Sequence, residues 1–296
     1  MGRESCGILE LWPMQRALST YLLVNHRLTN VWLDRIWGAG IPLVEIFCAR
    51  QHLDYYNRAQ IAELGHWFRE SELKLHALHS PLYTDEYGGR SGPHAVINIT
   101  EPVKSKRTPM LDEIKRALEV AETIACPYMI QHIGVTGQEY DERSVDAAFT
   151  ALEEISLFAR QRGVEILLEN IPNELSTSER LLMFLDTTHL KLNICLDVGH
   201  ANMHEGVETA YRLLKTRIRS THIHDNDGKE DLHLFPMPAP GQGTIDWPRT
   251  MQLLSSQGDR YPLLLELREV PDMGSPFDTL RRTFDTLENL TTNDES

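Results

Sequence analysis

Six short apolar stretches of this chain end on a residue able to bind a cation. They are Leu75–His79, Tyr128–His132, Ile166–Glu169, Ile194–Asp197, Ser220–His222 and Leu263–Glu266. Imidazole and carboxylate are the donors that hold Mn²⁺, Zn²⁺, Mg²⁺ or Co²⁺. A lone histidine or glutamate at a strand end is usually an ordinary polar residue of the rim. Glu169 and Glu266 each follow an apolar run, however, and a carboxylate buried there needs a cation or a charged partner. The coincidence points to a divalent-metal site.

Other chemistry-bearing residues lie close by in sequence. Asp197-Val198-Gly199-His200 offers a second ligand three positions on, where the chain leaves the strand. The competing role for Asp197, capping the next helix, is set aside because that helix is expected several residues later. His222-Ile223-His224 puts both imidazoles on one strand face, and Asp231-Leu232-His233 returns another acid and imidazole. His224 and Asp225 are expected behind the ligands. Glu45, within Leu43–Phe47, faces inward and suits either a hydrogen-bonded interior position or a substrate contact. Lys229 and His200 are further candidate substrate contacts, and His26, His76 and His94 candidate substrate neighbours.

Apolar periodicity supplies the elements that must position these groups. Strands are predicted near 17–23, 42–47, 74–79, 127–132, 164–169, 192–197, 218–224 and 262–267. Helices are predicted near 31–38, 58–71, 109–125, 142–162, 178–187, 206–215, 246–257 and 275–290, with N-caps at Asn57, Thr108, Asp141 and Thr177. Eight strands each followed by a helix form an α/β fold of the (β/α)8 type, in which all strand C-termini open on one face. An open nucleotide-binding sheet would place glycines after its first strand, where this chain has Val24-Asn25-His26-Arg27. Two long connections, 80–108 and 225–245, fall on the face that carries the ligands. Gly88, Gly89 and Gly92 with Arg90, Lys104, Lys106 and Arg107 suggest that the first is a mobile cover bringing positive charge to the substrate.

The 296 residues are read as one domain, 1–296, with an extension over 1–16 and a frayed tail over 291–296. A formal charge of −14 argues against a nucleic-acid partner, since the densest basic stretch is only Lys104, Lys106 and Arg107. Cys6, Cys48, Cys126 and Cys195 lack paired spacing, which fits a reducing cytoplasm. No apolar run suits a bilayer. Homo-oligomerisation is left open.

In order along the chain, Leu168-Glu169-Asn170, Leu196–His200, His222–Asp227, Pro240–Trp247 and Glu266 resemble the xylose-isomerase-like TIM-barrel superfamily. That superfamily includes sugar isomerases, epimerases and the TIM-barrel apurinic-site endonucleases. Its ketose epimerases imply one Mn²⁺ or similar ion on Glu169, Asp197, His222 and Glu266. The two glutamates would exchange a proton on the substrate carbon through an enediolate. The expected substrate is a sugar or sugar phosphate. The endonuclease branch implies up to three zinc ions, with His79 and His132 joining Glu169 at one, and His200, Asp231 and His233 at another; its chemistry is phosphoester hydrolysis. A non-catalytic sugar-binding barrel is the third reading. The loop after the seventh strand has Lys229, Asp231 and His233 where epimerases often place an arginine.

Overall fold

In the computed structural model, residues 14–86, 88–237, 242–258, 260–269 and 275–292 are described. The expected extension (but for 14–16), the last four residues of the tail, and Pro240 and Gly241 of the glycine-rich stretch lie outside them. Eight strands run parallel: β1 (Arg16–Ser19), β2 (Leu43–Phe47), β3 (Lys74–His79), β4 (Tyr128–His132), β5 (Glu165–Glu169), β6 (Asn193–Asp197), β7 (Ile218–His222) and β8 (Leu263–Leu265). They pair in the order β7-β6-β5-β4-β3-β2-β1-β8. The remaining seam closes beyond the end of β7, where Ile223 bridges Leu265 and its N–H donates to the Leu264 carbonyl at 2.8 Å. The sheet thus forms a nearly closed barrel.

The crossovers are α1 (Asn30–Gly38), α2 (Arg58–Glu70), α3 (Lys104–Leu118), α4 (Glu142–Arg160), α5 (Ser178–Thr187), α6 (Val198–Met203), α7 (Val207–Leu214), α8 (Trp247–Ser255) and α9 (Pro276–Thr292). Side-chain oxygens of Asn57, Asp141 and Thr177 accept N–H groups of the first turns of α2, α4 and α5, satisfying donors that have no partner within a helix. Thr108 is not a cap. α3 starts a turn earlier, after Val103, and Thr108 Oγ1 donates to the Lys104 carbonyl at 2.9 Å. Pro109 is a helix-interior proline, and the Arg107 guanidinium, bound to the carbonyls of Glu101 and Pro102, anchors the turn before it.

Most of the core is the sleeve between strands and helices, where Val44, Ile46, Leu78, Met129, Leu168 and Leu196 meet the apolar stripes of the crossovers. Inside the barrel, Ala77, Ile130, Leu167 and Cys195 form a small separate layer. Each stands two residues before His79, His132, Glu169 or Asp197. The period-2 alternation of a strand therefore lifts that second inward residue to the rim. Cys48, Cys126 and Cys195 are buried free thiols. Among the described residues, no helix is long and apolar enough to cross a membrane.

Candidate metal centre

The strand ends aim the predicted residues at one point. Register pairs His132 with Glu169 and Asp197 with His222. Ligand atoms of Glu169, Asp197, His222 and Glu266 lie within 4.8 Å of one another, as do those of His79, His132 and Glu169 and those of His200, His224, Asp231 and His233. Glu169 belongs to two of these groups. One oxygen faces His132 Nε2 at 2.9 Å and His79 Nε2 at 3.4 Å, the other His222 Nδ1 at 3.2 Å and His200 Nδ1 at 3.4 Å. Asp197 stands between His200 and His224, at 3.2 and 3.1 Å. Asp231 approaches His233 at 3.2 Å and His200 at 3.4 Å.

Backbone carbonyls orient several of the rings. Nδ1 of His79 meets the Ser80 carbonyl at 2.9 Å, and Nδ1 of His233 meets the Glu266 carbonyl at 3.1 Å. With the Nδ1 proton donated there, each Nε2 is left to face the carboxylates. Asn170 clamps β5 to β6. Its amide accepts the Asp197 N–H and donates to the Asp197 carbonyl, both at 2.8 Å.

The electrostatics are those of a site built around positive charge. Burial opposes ionisation of Glu169, yet His222 and His132 hold its carboxyl well below the usual range. Burial likewise opposes charging His200 and His222, and both are nonetheless raised well above an ordinary imidazole. Asp197 and Asp231 do this for His200, and Glu266, Glu45 and Glu169 contribute at His222. Glu266 moves the other way, pushed up by burial and by the neighbouring charge of Glu169. Buried oxygens of Glu45, Asp231 and Glu266 and Nδ1 of His224 have no hydrogen-bond partner. Such orphaned donors in an imidazole–carboxylate set fit a divalent cation.

Several expectations meet a different geometry. Asp197 does cap a helix, because the chain enters α6 directly: its Oδ1 accepts the His200 N–H at 2.7 Å. The cap and the turn toward His200 are one feature. His224, expected behind the ligands, has a ring nitrogen grouped with donor atoms of His200, Asp231 and His233 that could hold an ion. Its placement on the His222 face was the available signal. Asp225 does lie behind, accepting the Trp247 indole N–H at 2.7 Å and the backbone N–H groups of Asn226, Thr244 and Ile245. Glu45 is fully buried beneath His222, 3.1 Å from its Nε2, and does not line the cavity. Lys229 is exposed on the loop after β7, away from the cavity lining. His26 and His94 are exposed and His76 binds Ser220 Oγ inside the barrel; none lines the cavity.

Above the cluster lies a cavity of about 390 Å³. Its floor includes His79, His132, Glu169, His200, His233 and Glu266. The connection after β3 supplies a wall, but not the expected charged one. Residues 82–84 and 95–97 run antiparallel, with Thr84 N–H on the Ala95 carbonyl at 2.8 Å and Ile97 N–H on the Leu82 carbonyl at 2.9 Å. They place Leu82, Tyr83, Val96 and Ile97 against the cavity, while Arg90, Lys104, Lys106 and Arg107 stay outside its lining.

The family model for the xylose isomerase-like TIM barrel matches residues 33–290. The chain belongs to this family. An uncharacterized protein of Methanocaldococcus jannaschii is 25% identical over 196 residues, 64% of this chain and 74% of that protein. The probable endonuclease 4 of Natronomonas pharaonis is 28% identical over 150 residues, 46% of this chain and 53% of its own length. Among solved structures, an L-ribulose 3-epimerase superposes with a TM-score of 0.75 at 16% identity, covering 94% of this chain and 95% of that one. The IOLI protein with a bound zinc atom superposes at 0.72 and 18% identity, covering 94% and 98%. These last two likenesses show the shared fold.

Proposed function

We propose that this family member is a divalent-metal-dependent isomerase or epimerase of a small sugar-like substrate. The observation that carries the reading is the convergence of Glu169, Asp197, His222 and Glu266, from the ends of β5 to β8, with both glutamates lining the cavity. Glu169, Asp197, His222 and Glu266 would hold the ion. When bound, it polarises the substrate's carbonyl and hydroxyl oxygens and so acidifies the adjacent C–H.

The chain's own residues carry the proton. Glu169 and Glu266 project from different strands and can address a substrate carbon from two sides. One carboxylate removes the proton next to the carbonyl, and the electron pair moves into an enediolate; the other carboxyl delivers a proton from the opposite side. Glu45, bonded to His222, fixes that ring, and the aromatic and aliphatic wall excludes water.

A second reading, phosphoester hydrolysis, is favoured by one specific observation. The other two ligand groups, built on His79 and His132 and on His200, His224, Asp231 and His233, flank the first. Glu45, Glu169, Asp197, Asp231 and Glu266 bring more negative charge than a single divalent ion balances, and several adjacent ions suit hydroxide generation and phosphate clamping.

The decisive experiment counts metal per chain by elemental analysis and incubates ketoses and sugar phosphates in D₂O. Deuterium at the carbon next to the carbonyl supports isomerisation. Phosphoester cleavage with no exchange, at about three metals per chain, replaces it with hydrolysis.

A further inference from the structure

The cavity lining is chemically mixed. Beside the ionisable floor it includes Leu82, Val96, Ile97, Val135, Ile171 and Pro172 and the rings of Tyr21, Phe47 and Tyr83. The aromatic part is continuous with the floor: Phe47 stacks on His79 at 4.6 Å, and Tyr21 packs at 4.9 Å from Phe47 and 5.1 Å from His233. Among the described residues, no lysine or arginine lines this space. Arg268 lies at the rim, exposed, with its guanidinium directed to the Tyr21 hydroxyl.

A substrate anchored on the floor has this apolar wall among its neighbours. A terminal phosphate there would lose water and meet no cation among the lining residues of the wall. An alkyl or aryl group would instead remove apolar surface from water on both sides. A volume of about 390 Å³ falls in the range of pockets for drug-sized ligands, roughly 300–1,000 Å³.

We infer that the substrate is an uncharged keto-sugar-like compound bearing an apolar substituent, such as a ketose carrying an O-alkyl or O-aryl group away from its carbonyl, and that Leu82, Val96, Ile97, Ile171 and Pro172 form the subsite for that substituent. The polar end of this assignment rests on the isomerase reading; the apolar end rests on the wall alone. It also assigns a role to the connection after β3, which brings specificity rather than charge.

The test uses metal-anchored probes that need no turnover. Acetohydroxamate, phenylacetohydroxamate and phosphonoacetohydroxamate are titrated calorimetrically into the zinc-loaded protein. Phenylacetohydroxamate should bind about tenfold or more tightly than acetohydroxamate, and the phosphono compound no more tightly than acetohydroxamate. In Leu82→Asn and Val96→Asn, both half-buried positions, the phenyl preference should shrink toward unity while acetohydroxamate binding, which reports the intact floor, is unchanged. Equal binding of the phenyl and acetyl probes to the unaltered protein overturns the inference, as does tightest binding of the phosphono probe. A phenyl preference that survives both substitutions overturns the assigned subsite. Deuterium exchange on ketoses reports on the isomerase reading separately, so loss of exchange with the phenyl preference intact removes that reading and leaves the subsite standing.

Discussion

Glu169 is the side chain on which the site turns, since its two oxygens face four imidazoles and its loss would unbalance two ligand groups at once. Its proposed role as a proton carrier is separable from its proposed role as a ligand. Glu169→Gln and Glu266→Gln should each slow solvent-proton exchange at the substrate carbon by about 10²–10⁴-fold, with a smaller change in substrate binding. NMR of the ketose in D₂O reads the first and calorimetry the second, and exchange that persists in both variants removes the acid–base pair. Asp197 combines two duties, holding His224 and His200 and capping α6. Asp197→Asn keeps an acceptor for the cap but removes the charge. Metal affinity should fall about 10–100-fold in competition with a chromophoric chelator, while the melting temperature of the apoprotein changes little.

At the scale of elements, the loop after β7 carries Asp231 and His233 to the centre, and its base is fixed by Asp225. That buried carboxylate accepts the Trp247 indole N–H from the start of α8 together with three backbone donors of the loop. Trp247→Phe keeps the ring and removes the donor, so it should cost about 1–3 kcal/mol of stability and weaken metal binding at His200, His224, Asp231 and His233 more than at Glu169. Denaturant melts and metal titrations check the two parts. α6 is equally constrained. A Cβ on Gly199 would stand 2.0 Å from the His224 ring, closer than any real contact. Gly199→Ala should therefore displace that ring, cost about 1–3 kcal/mol and lower the metal count, whereas Asn202→Ala on the same helix should leave the count unchanged.

For the molecule as a whole, a histidine remote from the metal centre sets an acid limit. His52 is fully buried in the loop after β2, its Nδ1 at the His26 carbonyl. Burial lowers its pKa from 6.5 to about 4. Above pH 6.5 neither the folded nor the unfolded chain protonates it, and it contributes no pH dependence. As the pH falls from 6.5 toward 4, the unfolded chain takes up the proton first, and stability is lost. The full loss is about 3 kcal/mol. The difference in unfolding free energy between pH 7 and pH 4.5 should shrink by a comparable amount in His52→Gln, and equal pH dependence in the two proteins would refute the assignment.

The barrel and its rim of candidate donor side chains were legible along the chain, because both follow from a local rule. Period-2 alternation within each strand puts His79, His132, Glu169, Asp197 and His222 two places beyond an interior residue, and parallel pairing brings those ends to one face. Helix starts at Asn57, Asp141 and Thr177 were legible for the same reason, their caps being made within three residues. What depended on distant partners was not. α3 begins before Thr108, with Arg107 docked on the carbonyls of Glu101 and Pro102. His224 joins a group of candidate donors because the chain returns through Asp231 and His233 to meet it, its ring stacked on His233 at 4.0 Å. The connection after β3 carries lysines and arginines in its sequence, yet folding leaves Arg90, Lys104 and Lys106 exposed, buries Arg107 on backbone carbonyls, and sets Leu82, Val96 and Ile97 in the cavity lining. Composition reports which groups a segment contains. Only the long-range pairing of residues 82–84 with 95–97 decided which of them face the substrate.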